Sequence, residues 1–91
     1  MKIVLNNCYG SFGLSQDAIR YCDGKEYPER TDKKLIEFIE KYGSDVASNL
    51  FSKPVIVEIP DNSFYEIVDY DGVETVYYSE SPIKYICKYE D

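Results

Sequence analysis

The chain has 91 residues, with 10 lysines and arginines, 17 acidic side chains, a net charge of −7 and no histidine. Without histidine there can be no Ser-His or Cys-His nucleophile pair and no His-bearing zinc motif, and 3 cysteines are too few for a four-cysteine metal site. The acidic balance excludes a general phosphate-backbone binder, so no nucleic-acid partner is expected, and the length fits a single domain over residues 1–91.

Residues 2–7 (KIVLNN) read as a short β-branched strand bounded by asparagines. Residues 8–14 (CYGSFGL) form a glycine turn. Ser15 is a helix N-cap, with Asp17 in the first turn where the helix dipole favours an anion. That helix runs through Ala18, Ile19, Tyr21 and Cys22 and stops at Asp23-Gly24. A polar loop follows over 23–31, and Asp32 caps a second helix over 33–42. Leu35, Ile36, Ile39 and Tyr42 share its apolar face, and Gly43 ends it. Ser44 is expected to cap a third helix over DVASNLF, with Val46, Leu50 and Phe51 turned inward.

The period then changes. Residues 55–59 (VIVEI) read as a strand stopped by Pro60-Asp61. Residues 64–70 and 73–78 flank Asp71-Gly72, the pair a type I′ hairpin turn demands. Direct pairing opposes Tyr70 to Val73, Val68 to Thr75 and Ile67 to Val76. It also opposes Asp69 to Glu74, a like-charge pair expected in solvent. Residues 83–89 alternate, with Ile83, Tyr85, Cys87 and Tyr89 on one face and Lys84 and Lys88 guarding an edge. The expected fold is α+β: two to three short helices on one face of a mostly antiparallel sheet of four to five strands, in the order β-α-α-β-β-β-β.

The charge is uneven. Residues 1–45 are near neutral (seven basic, eight acidic), whereas residues 46–91 carry three basic and nine acidic groups. No apolar run approaches the roughly 20 residues that span a bilayer, and the start lacks a signal-peptide pattern. A cytoplasmic protein with reduced thiols and no membrane partner is expected.

The segment best suited to chemistry is strand–CYGSFGLS–helix. Gly10 and Gly13 permit close backbone approach, and free N–H groups in such a turn attract anions. The candidate ligand-binding set is Asn7, Cys8, Tyr9, Gly10, Ser11, Phe12, Gly13, Ser15, Arg20 and Arg30. The hydroxyls of Ser11 and Ser15 add donors, the two arginines add cations, and Tyr9 or Phe12 offers a stacking face. The turn matches neither the dinucleotide fingerprint nor the P-loop. The same residues also suit a tight strand-to-helix connection with Phe12 and Leu14 plugging the core. Asp61, Glu66 and Asp69 are weaker candidates for acid–base work, and the tyrosines at 65, 70, 77, 78, 85 and 89 for a stacking platform or subunit interface. No cofactor or metal is implied.

MKIVLNNCYGSFGLS, RTDKKLIE, VEIPD and EIVDYDGVETV occur in that order over residues 1–76. Together they resemble a family of small phage and prophage proteins with the pattern N-x-C-[YH]-G-G-F-G-L-S, R-x-D-x-x-L, V-x-I-P-D and E-Y-D-G-x-E-W-V. Ser11 replaces the second glycine of that pattern and Thr75 its tryptophan, and the final segment differs. The resemblance implies a phage origin. With a phosphate-friendly turn and no catalytic pair, the expectation is a non-enzymatic, homo-oligomeric protein. It would sequester a nucleotide-derived host immune signal, of ADP-ribose or cyclic type, without cleaving it. The alternative expectation is an acidic protein–protein inhibitor or DNA mimic acting on a host defence enzyme.

Overall fold

Strand β1 (Lys2–Asn6) is buried from Ile3 to Asn6 because it runs between two layers. Alternation sends Val4 to one side and Ile3 and Leu5 to the other. The computed structural model describes residues 1–79 and the backbone of 86–87. Its further elements are α1 (Gln16–Tyr21), α2 (Lys33–Tyr42), α3 (Ser44–Ala47), β2 (Pro54–Glu58), β3 (Phe64–Tyr70), β4 (Val73–Ser79) and β5 (Ile86–Cys87).

The α+β class and the β-α-α-β-β-β-β order are those expected. The strands are divided between two sheets, β1-β2 and β3-β4-β5, antiparallel throughout. The β1–β2 ribbon sets Val4 opposite Ile56 and Ile3 opposite Val57. Val4 and Ile56 pack against Leu14, Ala18, Cys22, Leu35, Phe38 and Ile39 of the helical layer. Ile3, Leu5, Val57 and Ile59 pack against Val76, Ile67 and Tyr78 of the β3–β4 hairpin. The ribbon is thus covered by helices on one face and by the second sheet on the other.

The caps follow the sequence. Ser15 accepts a hydrogen bond from the Ala18 N–H at 3.2 Å. Asp32 accepts from Lys34 at 2.8 Å and Leu35 at 3.2 Å. Gly43 closes α2 at φ 93°.

The third helix is corrected. It is a single turn, Ser44–Ala47, with Gly43 at the N-cap position, and the Ser44 hydroxyl donates instead to the Pro54 carbonyl. Asn49 then captures the Phe51 N–H at 2.8 Å, and such local side-chain bonds compete with helix. Leu50 is 91% exposed, and Val46 and Phe51 are exposed as well, so the inward positions expected for them are not adopted.

The hairpin has the expected register, with Tyr70 opposite Val73, Val68 opposite Thr75 and Ile67 opposite Val76. Asp71 and Gly72 take positive φ, as a type I′ turn requires. Asp69 does oppose Glu74, but Glu74 is 5% exposed, not solvated, because a cation from another segment reaches it. Strand β5 pairs with Tyr77 and Tyr78. The facing expected for Ile83, Lys84, Tyr85, Lys88 and Tyr89 lies outside the described residues, as do the side chains of β5. No helix among the described residues is long and apolar enough to cross a membrane.

Candidate functional site

Asn6 ends β1 fully buried, and its polar groups knot four segments together. Its side-chain amide donates to the Cys8 carbonyl at 3.1 Å and the Gly72 carbonyl at 2.6 Å, and its side-chain oxygen accepts from the Lys53 N–H at 2.8 Å. Its backbone N–H donates to Glu74 at 2.7 Å. A buried amide with every group satisfied fixes geometry, because each lost partner would leave an uncompensated polar atom. In the sequence, an asparagine at a strand end before a glycine turn marks only a boundary.

Around this knot the glycine turn meets two other loops. The Gly10 N–H donates to the Asp71 carbonyl at 3.2 Å. A Cβ on Gly72 would overlap Gly10 backbone, one on Gly10 would overlap the Phe51 carbonyl, and one on Gly13 the Asn49 amide. Ser52 donates to the Gly13 carbonyl at 2.7 Å, and the Asn7 N–H donates to the Lys53 carbonyl at 2.9 Å. Segments 8–14, 49–53 and 70–72 therefore converge on Gly10. Tyr9 (73% exposed), Phe51 (68%) and Tyr70 (77%) all stand exposed on them, with Leu50. The Ser11 and Phe12 N–H groups donate to no acceptor among the described residues. Lys53 is exposed and has no acidic partner among them.

The remaining expected site residues are engaged elsewhere. Arg30 grips both oxygens of Glu74, with one nitrogen at 2.8 Å and the other also on the Val4 carbonyl at 3.3 Å. Its guanidinium covers the Phe12 ring at 3.7 Å, so Arg30 and Phe12 face each other. Arg20 is exposed on α1 and pairs with Asp17 at 3.8 Å, not with a group of the turn. The Ser15 hydroxyl, besides capping α1, donates to the Val46 carbonyl at 2.7 Å. The Cys8 thiol is half-buried, with its own neighbour's carbonyl at 3.7 Å. The sequence does not single out Phe51 or Lys53, and it offers Tyr70 only within a general tyrosine platform, because their nearness to the turn is a long-range contact.

A separate cleft of about 220 Å³ opens in the helical layer, lined by Asp17, Tyr21, Phe38, Tyr42 and Val46. Phe38 lies 5.4 Å from Tyr21 and 4.8 Å from Tyr42, centroid to centroid. The Tyr21 hydroxyl donates to Glu37, which raises its pKa above 10.0. The charge lining this cleft is the Asp17 carboxylate, which disfavours an anionic ligand. No group of three or more potential metal ligands occurs among the described residues. Comparison with family models, curated proteins and solved structures gives no match.

Proposed function

We propose that the protein is a non-catalytic binding protein that holds a phosphorylated, base-containing small molecule at the three-loop junction. The observation that supports this reading is that the three segments meeting at Gly10 each carry an exposed ring, Tyr9, Phe51 or Tyr70, and that the Ser11 and Phe12 N–H groups of the glycine turn meet no acceptor among the described residues. Aromatic faces stack on a base, and N–H groups with Lys53 nearby receive a phosphate. Arg30, spent on Glu74, supports the turn instead of touching the ligand. The resemblance to phage and prophage proteins makes a host signalling nucleotide, of ADP-ribose or cyclic type, the class to test.

Calorimetric titration with ADP-ribose, cyclic ADP-ribose and cyclic dinucleotides tests it. One of them binds and is recovered intact on heating the complex. Removing a stacking ring (Y9A or F51A) weakens binding by about 1–3 kcal/mol with unchanged melting temperature. Absence of heat with every nucleotide sinks the reading. Loss of binding in Y42A, with Y9A and K53A unaffected, would move the ligand to the helical cleft.

A further inference from the structure

Among the described residues, strand β3 is an edge. In the order β3-β4-β5 it has one strand neighbour among the described residues, and its outer row of N–H and C=O groups meets none of them. Edges of this kind are usually blocked by charged side chains, lysine above all, by proline, by a bulge or by a short length. This one is seven residues long, FYEIVDY, pairs without a bulge, contains neither lysine nor proline, and carries only Glu66 and Asp69 as charges, so a partner must avoid setting a carboxylate against either. Ile67 faces the core, so alternation puts Phe64, Glu66, Val68 and Tyr70 on the opposite face, where Phe64, Val68 and Tyr70 are exposed.

We propose that β3 pairs antiparallel with β3 of a second copy, across a two-fold axis at Ile67, to form one continuous six-stranded sheet from two three-stranded ones. The register follows from faces and charges. A two-fold axis perpendicular to the sheet opposes residues of the same face only if it passes through a residue position. An axis at Glu66 sets that carboxylate against its own copy. An axis at Val68 leaves Phe64 and Tyr65 unpaired. The axis at Ile67 pairs all seven residues. It sets Phe64 opposite Tyr70 of the second copy, Tyr65 opposite Asp69 and Glu66 opposite Val68, each twice. No carboxylate then directly opposes another, which removes the like-charge penalty within the pairing. The remaining repulsion is that of two bodies each at net −7, which salt screens. This interface shares Tyr70 with the proposed ligand site, so it is tested at Glu66 and Val68, which that site does not use.

Charge swaps at Val68 test the register by sedimentation over a concentration series. The wild type dimerises, and more tightly at high salt. V68E sets two carboxylates against Glu66 of the other copy and weakens the dimer about tenfold. V68K sets an ammonium there, paired with that Glu66, and weakens the dimer clearly less than V68E does. E66K/V68E restores what V68E loses. Val68 is exposed, so the fold tolerates these changes, and V68K controls for loss of the valine itself. A wild type monomeric throughout the series overturns the proposal, as does equal weakening by V68E and V68K.

Discussion

Arg30 and Glu74, 44 positions apart, meet as a two-pronged ion pair that ties the loop before α2 to strand β4. The Glu74 side chain is 6% exposed and the Arg30 side chain 23%. The Asn6 N–H adds a further donor to the carboxylate, and the Phe12 ring lies beneath the guanidinium. One buried negative charge is thereby neutralised just under the glycine turn.

Breaking this pair from one side leaves the other charge buried. R30A is expected to lower stability by about 3–5 kcal/mol in urea unfolding. The double variant R30M/E74L recovers much of that, because two apolar side chains leave no unpaired charge. Where R30A remains folded it still binds ligand, since the proposed phosphate contacts are the turn's N–H groups and Lys53. Direct phosphate contact by Arg30 would instead abolish binding even in R30A that is still folded.

Gly72 combines φ 93° with direct backbone contact to Gly10, so G72A is strained twice over. Gly24 shares the positive φ but has open space where a Cβ would go. G24A is expected to cost about 1 kcal/mol and G72A clearly more, by thermal melts run side by side. Equal losses would mean that the hairpin tip is not seated on the glycine turn.

Cys22 is buried in the helical core, and that burial raises its thiol pKa above 9.0. A raised pKa leaves little thiolate near neutrality, and burial blocks access. Iodoacetamide at mildly alkaline pH should modify Cys8 well before Cys22, as read by peptide mass mapping. Cys22 becomes reactive when urea unfolds the chain.

Asp23 and Asp61 titrate below their ordinary value of 3.8. A hydrogen bond and charge from Lys34 hold Asp23 down, and the N-terminal ammonium does the same for Asp61. A carboxylate depressed in the fold adds stability that is complete above its unfolded pKa and is lost as pH falls through the folded value. The melting temperature should therefore drop on acidification below pH 3.8, and D23N/D61N should show a shallower drop with a lower plateau at neutral pH.

What the sequence determined by itself was local. Asp71-Gly72 specified the hairpin and its register, because both residues readily take the positive φ of a two-residue type I′ turn. Ser15, Asp32 and Gly43 marked helix ends through bonds to residues within four positions. Tertiary structure decided where those pieces met. The division into two sheets, the inward turn of Glu74 and the exposure of Leu50 and Phe51 depend on which face each element covers, and short apolar runs are silent on that. The net charge of −7 was visible from the start. That Arg30 is consumed by Glu74, while Lys53 stands beside the glycine turn, arises from contacts across 44 residues in one case and 46 in the other. Sequence spacing fixes a contact only when the chain between its partners is short and regular.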